Sequence, residues 1–94
     1  SRVAAVVAMP VNSTDGKVYG ILTENLPVYP YPFQIKVEGI SPKGERYEIL
    51  SMKHPGGLLT VPYAVQDGTV LALTILNKEV ASFEVHKKEE PTLP

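Results

Sequence analysis

Turn-forming residues recur along this chain at short, regular intervals, and this spacing restricts the possible folds more than any other feature. The breaks fall at residues 10, 15–16, 27–32, 41–44, 54–57, 67–68 and 77–78. Proline fixes φ and glycine permits positive φ, so each break ends a regular element. The intervals between breaks are too short for globular helices but long enough for strands. The spacing therefore predicts an all-β fold.

The apolar residues between the breaks follow strand patterns. Residues 33–38 alternate strictly between apolar and polar side chains, which predicts a half-buried strand. Residues 69–76 are apolar on both faces, which is typical of a central strand covered on both sides. Residues 45–51 and 79–85 each follow a short polar break, so we expect each of them to close a hairpin with the preceding strand.

Further strand patterns at residues 3–8, 17–23 and 58–61 bring the total to about seven short strands. Such a series predicts a small two-sheet, Greek-key or immunoglobulin-like β-sandwich, with a small closed β-barrel as the alternative. Residues 1–86 are the predicted single domain, and the charged, Pro-rich residues 87–94 a tail or linker. The predicted core consists of Val18, Ile35, Val37, Ile49, Leu71, Leu73, Ile75, Phe83 and Val85.

Composition argues against several classes of function. The chain contains no cysteine, so disulfides, thiolate metal ligands and thiol nucleophiles are excluded. Its nine basic residues are balanced by ten acidic ones, whereas nucleic-acid-binding domains usually carry a clear basic excess. No apolar run approaches the roughly 20 residues that cross a bilayer. We therefore expect neither a nucleic-acid partner nor direct insertion into a membrane.

The two histidines are the natural candidates for acid–base chemistry, because their pKa lies near neutrality. His54 lies in the turn sequence His-Pro-Gly-Gly, and His86 lies at a strand end beside charged residues. Both are expected to be exposed and non-catalytic. No group of histidines or carboxylates has the short spacing of a metal site, and no nucleophile elbow or phosphate-binding loop is present. The sequence predicts no enzyme activity, metal or cofactor.

Residues 26–33 form the most unusual segment, because its prolines at positions 27, 30 and 32 favour an extended path. The segment presents Tyr29, Tyr31 and Phe33 as candidate binding residues for a protein partner or a glycan. Tyrosine suits such a role because it offers a large, rigid apolar surface with a polar tip. The alternative is a stiff crossover whose tyrosines cap the end of the sandwich.

The N-terminal run offers a candidate assembly surface. It can join the sheet only as a terminal strand, so we expect it at an edge, where Val3, Ala5 and Val7 would be available for pairing. Arg2 is the only charge in residues 1–9, so the run lacks the charges that usually block pairing with another chain. The partner would be a second copy or another part of a larger parent chain.

Residues 16–20 are followed by the Pro-rich crossover, an alternating strand and residues 56–62. This order is loosely similar to that of transthyretin-like accessory domains of larger secreted proteins. Asn12-Ser13-Thr14 also matches the acceptor sequence for N-glycosylation, which favours an extracellular or cell-surface location. The predicted function is a non-enzymatic structural or interaction module, either an accessory domain of a larger extracellular protein or a subunit of an assembly. The alternative is a ligand- or carbohydrate-binding module that uses Tyr29 and Tyr31.

Overall fold

The computed structural model describes residues 2–3 and 11–88, and these residues form an all-β sandwich. The strands are β1 (Arg2–Val3), β2 (Val11–Asn12), β3 (Lys17–Leu26), β4 (Phe33–Ile40), β5 (Arg46–His54), β6 (Gly57–Gln66), β7 (Val70–Ile75) and β8 (Lys78–Glu84). β2 to β8 belong to antiparallel pairs, and β1 adds a two-residue parallel pair. The predicted sandwich of about seven strands is confirmed, and the sheets do not close into the alternative barrel.

The strands form two sheets that pack face to face around one core. The larger sheet has the order β1-β8-β7-β4-β5, and the smaller one has the order β2-β3-β6. Two hairpins, β4–β5 and β7–β8, lie within the larger sheet, as predicted. β1 and β2 belong to different sheets, and between β2 and β8 the chain crosses between the sheets after β3, after β5 and after β6. The Pro-rich segment is the first of these crossovers, so it spans one end of the sandwich.

Alternation along the strands places the core between the sheets. On β4, Phe33, Ile35 and Val37 are buried, and on β6 every second residue from Leu59 to Val65 is buried. β7 lies between β4 and β8, and its three consecutive residues from 71 to 73 are all buried. This agrees with the prediction of a central strand. The buried apolar residues of both sheets form one cluster.

Eight of the nine predicted core residues are buried, and Ile49 is the exception. Ile49 is half-buried and packs against the core from its margin. The cause is a bulge in the β4–β5 pair, where Val37 pairs with Leu50 and Glu38 pairs with Glu48. Ile49 is left without a partner in this register, and a bulged residue no longer follows the alternation of its strand.

Two tyrosines cover glycines on neighbouring strands. Gly20 lies opposite Tyr63 in the β3–β6 pair, and Gly39 lies opposite Tyr47 in the β4–β5 pair. In both pairs the phenol ring occupies the space that a Cβ atom on the glycine would need. Tyr63 is buried and Tyr47 is exposed, so the first ring is enclosed by the core and the second is not. The absence of a side chain at Gly20 therefore creates the site that holds the Tyr63 ring.

Hydrogen bonds to one carboxylate order the turn between β2 and β3. Asp15 accepts hydrogen bonds from the Ser13 hydroxyl, from the Tyr19 hydroxyl at 2.5 Å and from the backbone N–H of Lys17 at 3.0 Å. These donors, Ser13 first, lower the pKa of Asp15 from 3.8 to about 2, because they stabilise the ionised carboxylate. The hydrogen bond that Tyr19 donates to Asp15 also raises the pKa of the Tyr19 hydroxyl.

Two side chains, Asp67 in a turn and Asn12 at the end of β2, hold the segment that follows β8. The backbone N–H of Lys87 donates to Asp67 Oδ1 at 2.7 Å, and Asn12 Nδ2 donates to the carbonyl oxygen of Lys88 at 2.7 Å. The first two residues of the predicted tail therefore contact the sandwich. Asn12 Nδ2 is also the atom that N-glycosylation would modify, and in this structure it is engaged with the main chain.

Candidate functional site

The three aromatic residues predicted for binding occupy different environments. Tyr31 is 79% exposed and Tyr29 is 45% exposed, whereas Phe33 is buried at the start of β4. The rings of Tyr29 and Phe33 meet edge to face, with centroids 5.0 Å apart and an interplanar angle of 70°. This contact fixes Tyr29 on the surface of the crossover. Phe33 therefore supports the candidate surface from below, and Tyr29 and Tyr31 remain as its accessible members.

A cleft of about 380 Å³ opens beside Tyr29, at the end of the sandwich. We call it the crossover cleft. It lies between the end of β3 on the smaller sheet and the β7–β8 hairpin on the larger one. Its lining residues are Glu24, Asn25, Leu26, Pro27, Tyr29, Leu73, Ile75, Leu76, Lys78 and Val80.

The floor of the crossover cleft is part of the hydrophobic core. Leu26, Leu73 and Ile75 line the cleft, and all three are buried members of the core cluster. An apolar ligand side chain in the cleft would thus contact the core directly, and ligand clefts in proteins are usually lined in this way. The lining also includes three polar residues, Glu24, Asn25 and Lys78.

Leu76 stands on the rim in an unusual backbone conformation. Leu76 (φ 51°) and Asn77 (φ 66°) form the two-residue turn between the paired residues Ile75 and Lys78. Positive φ at both central positions is what a type I′ turn requires, and asparagine and glycine are its usual residues. For a residue such as leucine the left-handed region costs about 1–2 kcal/mol. An exposed apolar side chain kept in a strained conformation beside a cleft suggests a contact role.

A bulge brings Val80 into the lining. In the β7–β8 pair, Leu73 lies opposite Ala81 and Thr74 lies opposite Glu79, so Val80 has no partner in the register. Bulges re-aim side chains relative to the regular alternation. Val80 is half-buried and packs against the core, and it lines the cleft together with Leu73. The bulge thus adds an apolar wall to the crossover cleft.

The turn from residue 54 to 57 supports the crossover from the other side. The prediction of an exposed His54 is wrong, because its side chain is buried and its Nδ1 accepts the backbone N–H of Gly56 at 2.9 Å. Gly56 has φ +95°, and a Cβ there would lie 2.5 Å from the Pro27 carbonyl oxygen and 2.8 Å from Val28 Cα. The backbone of the crossover therefore packs directly on this glycine, which has no side chain to separate them.

The other histidine and the acidic side chains of the described residues do not form a cluster. His86 is exposed, as predicted, and its ring nitrogens lie 3.8 Å from Asp67 Oδ1 and 3.2 Å from Glu84 Oε1. Within residues 2–3 and 11–88, no three histidine or acidic side chains are grouped closely enough to hold a metal ion. The same residues include no helix long and apolar enough to cross a membrane.

The predicted assembly edge is only partly within the described residues. Val3 belongs to β1 at the edge of the larger sheet, where Arg2 pairs with Ala81 and Val3 pairs with Ser82. Ala5 and Val7 lie outside the described residues. The pairing with β8 is parallel, so β1 and β8 point in the same direction.

No protein-family model, curated protein or solved structure matches this chain. The candidate site is therefore defined by its geometry. Sequence reasoning found Tyr29 but missed Leu26, Leu76 and Val80, which lie in segments far apart in the chain. The sequence carries no signal for Leu76, because the predicted break covers residues 77–78 and the predicted strand includes Leu76, whereas in the structure Leu76 lies in the turn with Asn77.

Proposed function

We propose that this chain is a non-enzymatic interaction module that binds an extended apolar segment of a protein in the crossover cleft. The observation that carries the proposal is that the cleft opens directly onto the core residues Leu73 and Ile75, with the exposed side chains of Tyr29 and Leu76 on its rim. Exposed apolar surface of this kind, placed beside a concave site, is typical of interaction sites. Such a module would serve as an accessory domain of a larger extracellular protein or as a subunit of an assembly.

The strand order supports an immunoglobulin-like assignment within this proposal. When β2, β3 and β6 are lettered A, B and E, and β4, β7 and β8 are lettered C, F and G, the sheets contain ABE and GFC. β5 then takes the position beside C that strand C′ occupies in variable-type domains. Immunoglobulin-like sandwiches host many unrelated functions, so this assignment is compatible with an interaction module but does not identify its partner.

Selection from a displayed library of random peptides tests the proposal. We expect the selected peptides to carry apolar residues at alternate positions, because a strand directs every second side chain into a cleft. Leu76→Asp should abolish their binding, as measured by isothermal titration calorimetry. Aspartate is chosen because it tolerates the left-handed backbone conformation, so the turn should be retained. Leu58→Asp is the matched control, since Leu58 is an exposed leucine that does not line the cleft. Selection without enrichment, or equal binding by both variants, would contradict the proposal.

Carbohydrate binding is the second candidate, and the exposure of the Tyr31 ring favours it. A ring that is 79% exposed can stack on the apolar face of a sugar without any rearrangement. If a glycan binds here, Tyr31→Ala should remove signals on a glycan array and Leu76→Asp should leave them in place. An array without signals for the unmodified chain would eliminate this candidate.

A further inference from the structure

β5 forms an edge of the larger sheet. It lies at the end of the strand order opposite to β1, and within residues 2–3 and 11–88 no strand pairs with its outer edge. Six of its nine residues are exposed, and they include side chains on both faces of the strand. Edge strands of this kind offer unpaired backbone N–H and C=O groups to another chain. β5 is therefore a candidate surface for strand pairing between molecules.

The described residues next to the undescribed ones lie on the other side of the sandwich. A two-residue turn connects β5 with β6, so these strands share one side, and β1 and β2 lie at the opposite ends of their sheets. Val3 pairs with β8, Val11 pairs with β3, and Lys88 accepts a hydrogen bond from Asn12 on β2. The argument for β5 therefore uses only strands whose positions the structure describes.

β6 is the neighbouring edge, and it is protected in a way that β5 is not. Pro62 stands in the middle of β6 and cannot donate a backbone hydrogen bond to an added strand. β5 contains neither proline nor glycine. Its charged side chains and its bulge at Ile49 are features that usually hinder pairing between edges. Both features fit together when β5 meets β5 of a second copy.

We infer that β5 pairs antiparallel with β5 of a second copy, across a two-fold axis at Ser51. Directly opposite residues of such a pair share one face of the sheet, so the bulge determines the possible registers. With Ile49 unpaired in both copies, Ser51 lies opposite its own counterpart, and Leu50 of each copy lies opposite Met52 of the other. Leu50 and Met52 both belong to the core-facing side of β5, because each pairs with a buried residue of β4. The register therefore joins apolar side chains on this face.

Charge complementarity on the outer face supports the same register. Glu48 of each copy lies opposite Lys53 of the other, and both face outwards because their partners on β4 alternate with its buried residues. Within one chain, Glu48 lies opposite the like charge of Glu38, whose carboxylate pairs with Arg46 at 3.3 Å. Among the described residues, neither Glu48 nor Lys53 has an ion-pair partner. The two-fold axis supplies each of them with an opposite charge, which favours antiparallel pairing.

This inference goes beyond the proposed function and does not depend on it. The lining residues of the crossover cleft named above include none of β5, so the cleft of each copy remains accessible in the dimer. A dimer would present two clefts, and a partner with two apolar segments would then bind with higher avidity than a partner with one.

Charge reversal, followed by sedimentation equilibrium, tests the inference. Glu48→Lys places lysine opposite lysine and Lys53→Glu places glutamate opposite glutamate, so each variant alone should dimerise about tenfold more weakly or worse. An equal mixture of the two variants should form a heterodimer, because both pairs again join opposite charges. The double variant Glu48→Lys/Lys53→Glu should dimerise like the unmodified chain. Glu79→Lys, an exposed position on β8, is the control and should leave dimerisation unchanged.

Disulfide trapping checks the register, because the chain has no native cysteine. Opposite Cβ atoms at the axis lie about 4.5–5.5 Å apart, so Ser51→Cys should yield a covalent dimer on oxidation. Lys53→Cys should not, because each residue 53 lies opposite residue 48 of the other copy. Circular dichroism checks that each variant is folded.

Four results would overturn the inference. They are an unmodified chain that stays monomeric up to about 1 mM, single variants that dimerise as strongly as the unmodified chain, folded variants whose mixture forms no heterodimer, and equal trapping by Ser51→Cys and Lys53→Cys. Leu76→Asp should dimerise normally, and loss of the dimer in this variant would assign the contact to the cleft instead of β5. Peptide binding in the cleft is measured separately, so failure of the β5 dimer leaves the proposed function standing.

Discussion

Substitution of Gly56 by alanine tests how the crossover is held in place. Alanine at φ +95° adopts a conformation that L residues avoid, at about 1–2 kcal/mol. Its Cβ would also lie 2.5 Å from the Pro27 carbonyl oxygen and 2.8 Å from Val28 Cα. Both are backbone atoms, so the clash can be relieved only by a shift of the crossover itself. By analogy with overpacked cores, this shift costs about 1–3 kcal/mol more. We expect a total loss of about 2–5 kcal/mol in the free energy of unfolding.

The neighbouring glycine supplies a matched control. Gly57 has φ +83°, and a Cβ there would have no atom within 4 Å, so Gly57→Ala carries the backbone strain without the clash. The entropy that alanine removes from the unfolded chain is the same in both variants and cancels in the comparison. The difference between the two variants therefore isolates the contact with the crossover, and we expect about 1–3 kcal/mol.

Urea denaturation followed by tyrosine fluorescence measures this difference, with linear extrapolation to water. For a domain of this size, each kcal/mol corresponds to a change of roughly 4–8 °C in Tm. If the two variants agree within about 0.5 kcal/mol, which is the usual range for surface substitutions, the crossover does not pack on Gly56 as described. Contacts other than the one with Gly56 would then have to hold Pro27 and Tyr29 in the wall of the cleft.

Three further predictions follow from the core and the turns. Leu73→Ala should lower the free energy of unfolding by about 2–5 kcal/mol through lost burial and a cavity. A loss below about 1 kcal/mol, measured by urea denaturation, would show that Leu73 does not belong to the core. Gly20→Ala should destabilise more than Gly39→Ala by about 1–3 kcal/mol, because the Tyr63 ring over Gly20 is enclosed whereas the ring over Gly39 is exposed and can move; equal Tm values would contradict this. The pKa of Asp15 is lowered to about 2, so its carboxylate stabilises the fold above its ordinary pKa of 3.8, and this contribution is lost as the pH falls towards 2. The Tm of the wild type should therefore fall more steeply than that of Asp15→Asn over this interval, and parallel acid profiles would refute the role of the turn.

The hairpins and most of the core were predictable because their signals are local. Alternation in residues 33–38 and the two-sided apolar run in residues 69–76 depend only on neighbouring residues. The structure has strands at Phe33–Ile40 and Val70–Ile75, and it places Leu76 in the turn that follows rather than in the strand. β6 was predicted only over residues 58–61, whereas the strand runs from Gly57 to Gln66 and includes Pro62. Proline is tolerated there because β6 pairs only with β3 and lies at the edge of its sheet.

The site was less predictable because it depends on contacts between distant segments. Tyr29 stood out through the composition of its own segment, but the cleft beside it is formed by Leu26 from one sheet and by Leu76 and Val80 from the other. Val80 lines the cleft only because of a bulge, and a bulge has no signature in a single sequence. The burial of His54 likewise arises only in the folded turn, where its Nδ1 accepts the backbone N–H of Gly56.

The parallel pairing of β1 and β8 has a mechanical consequence. The two strands point in the same direction, so the N-terminal end of β1 and the C-terminal end of β8 lie towards opposite ends of the sheet. Tension applied through these two ends would slide the strands past one another, and it would load their hydrogen bonds together rather than one after another. Within the part of the chain that the structure describes, two residue pairs share that load, so β1 should be the first strand to yield. Release of β1 would bare the outer edge of β8 while leaving the four antiparallel strands of the larger sheet intact, so the backbone groups of Ala81 and Ser82 would become available for pairing only under tension.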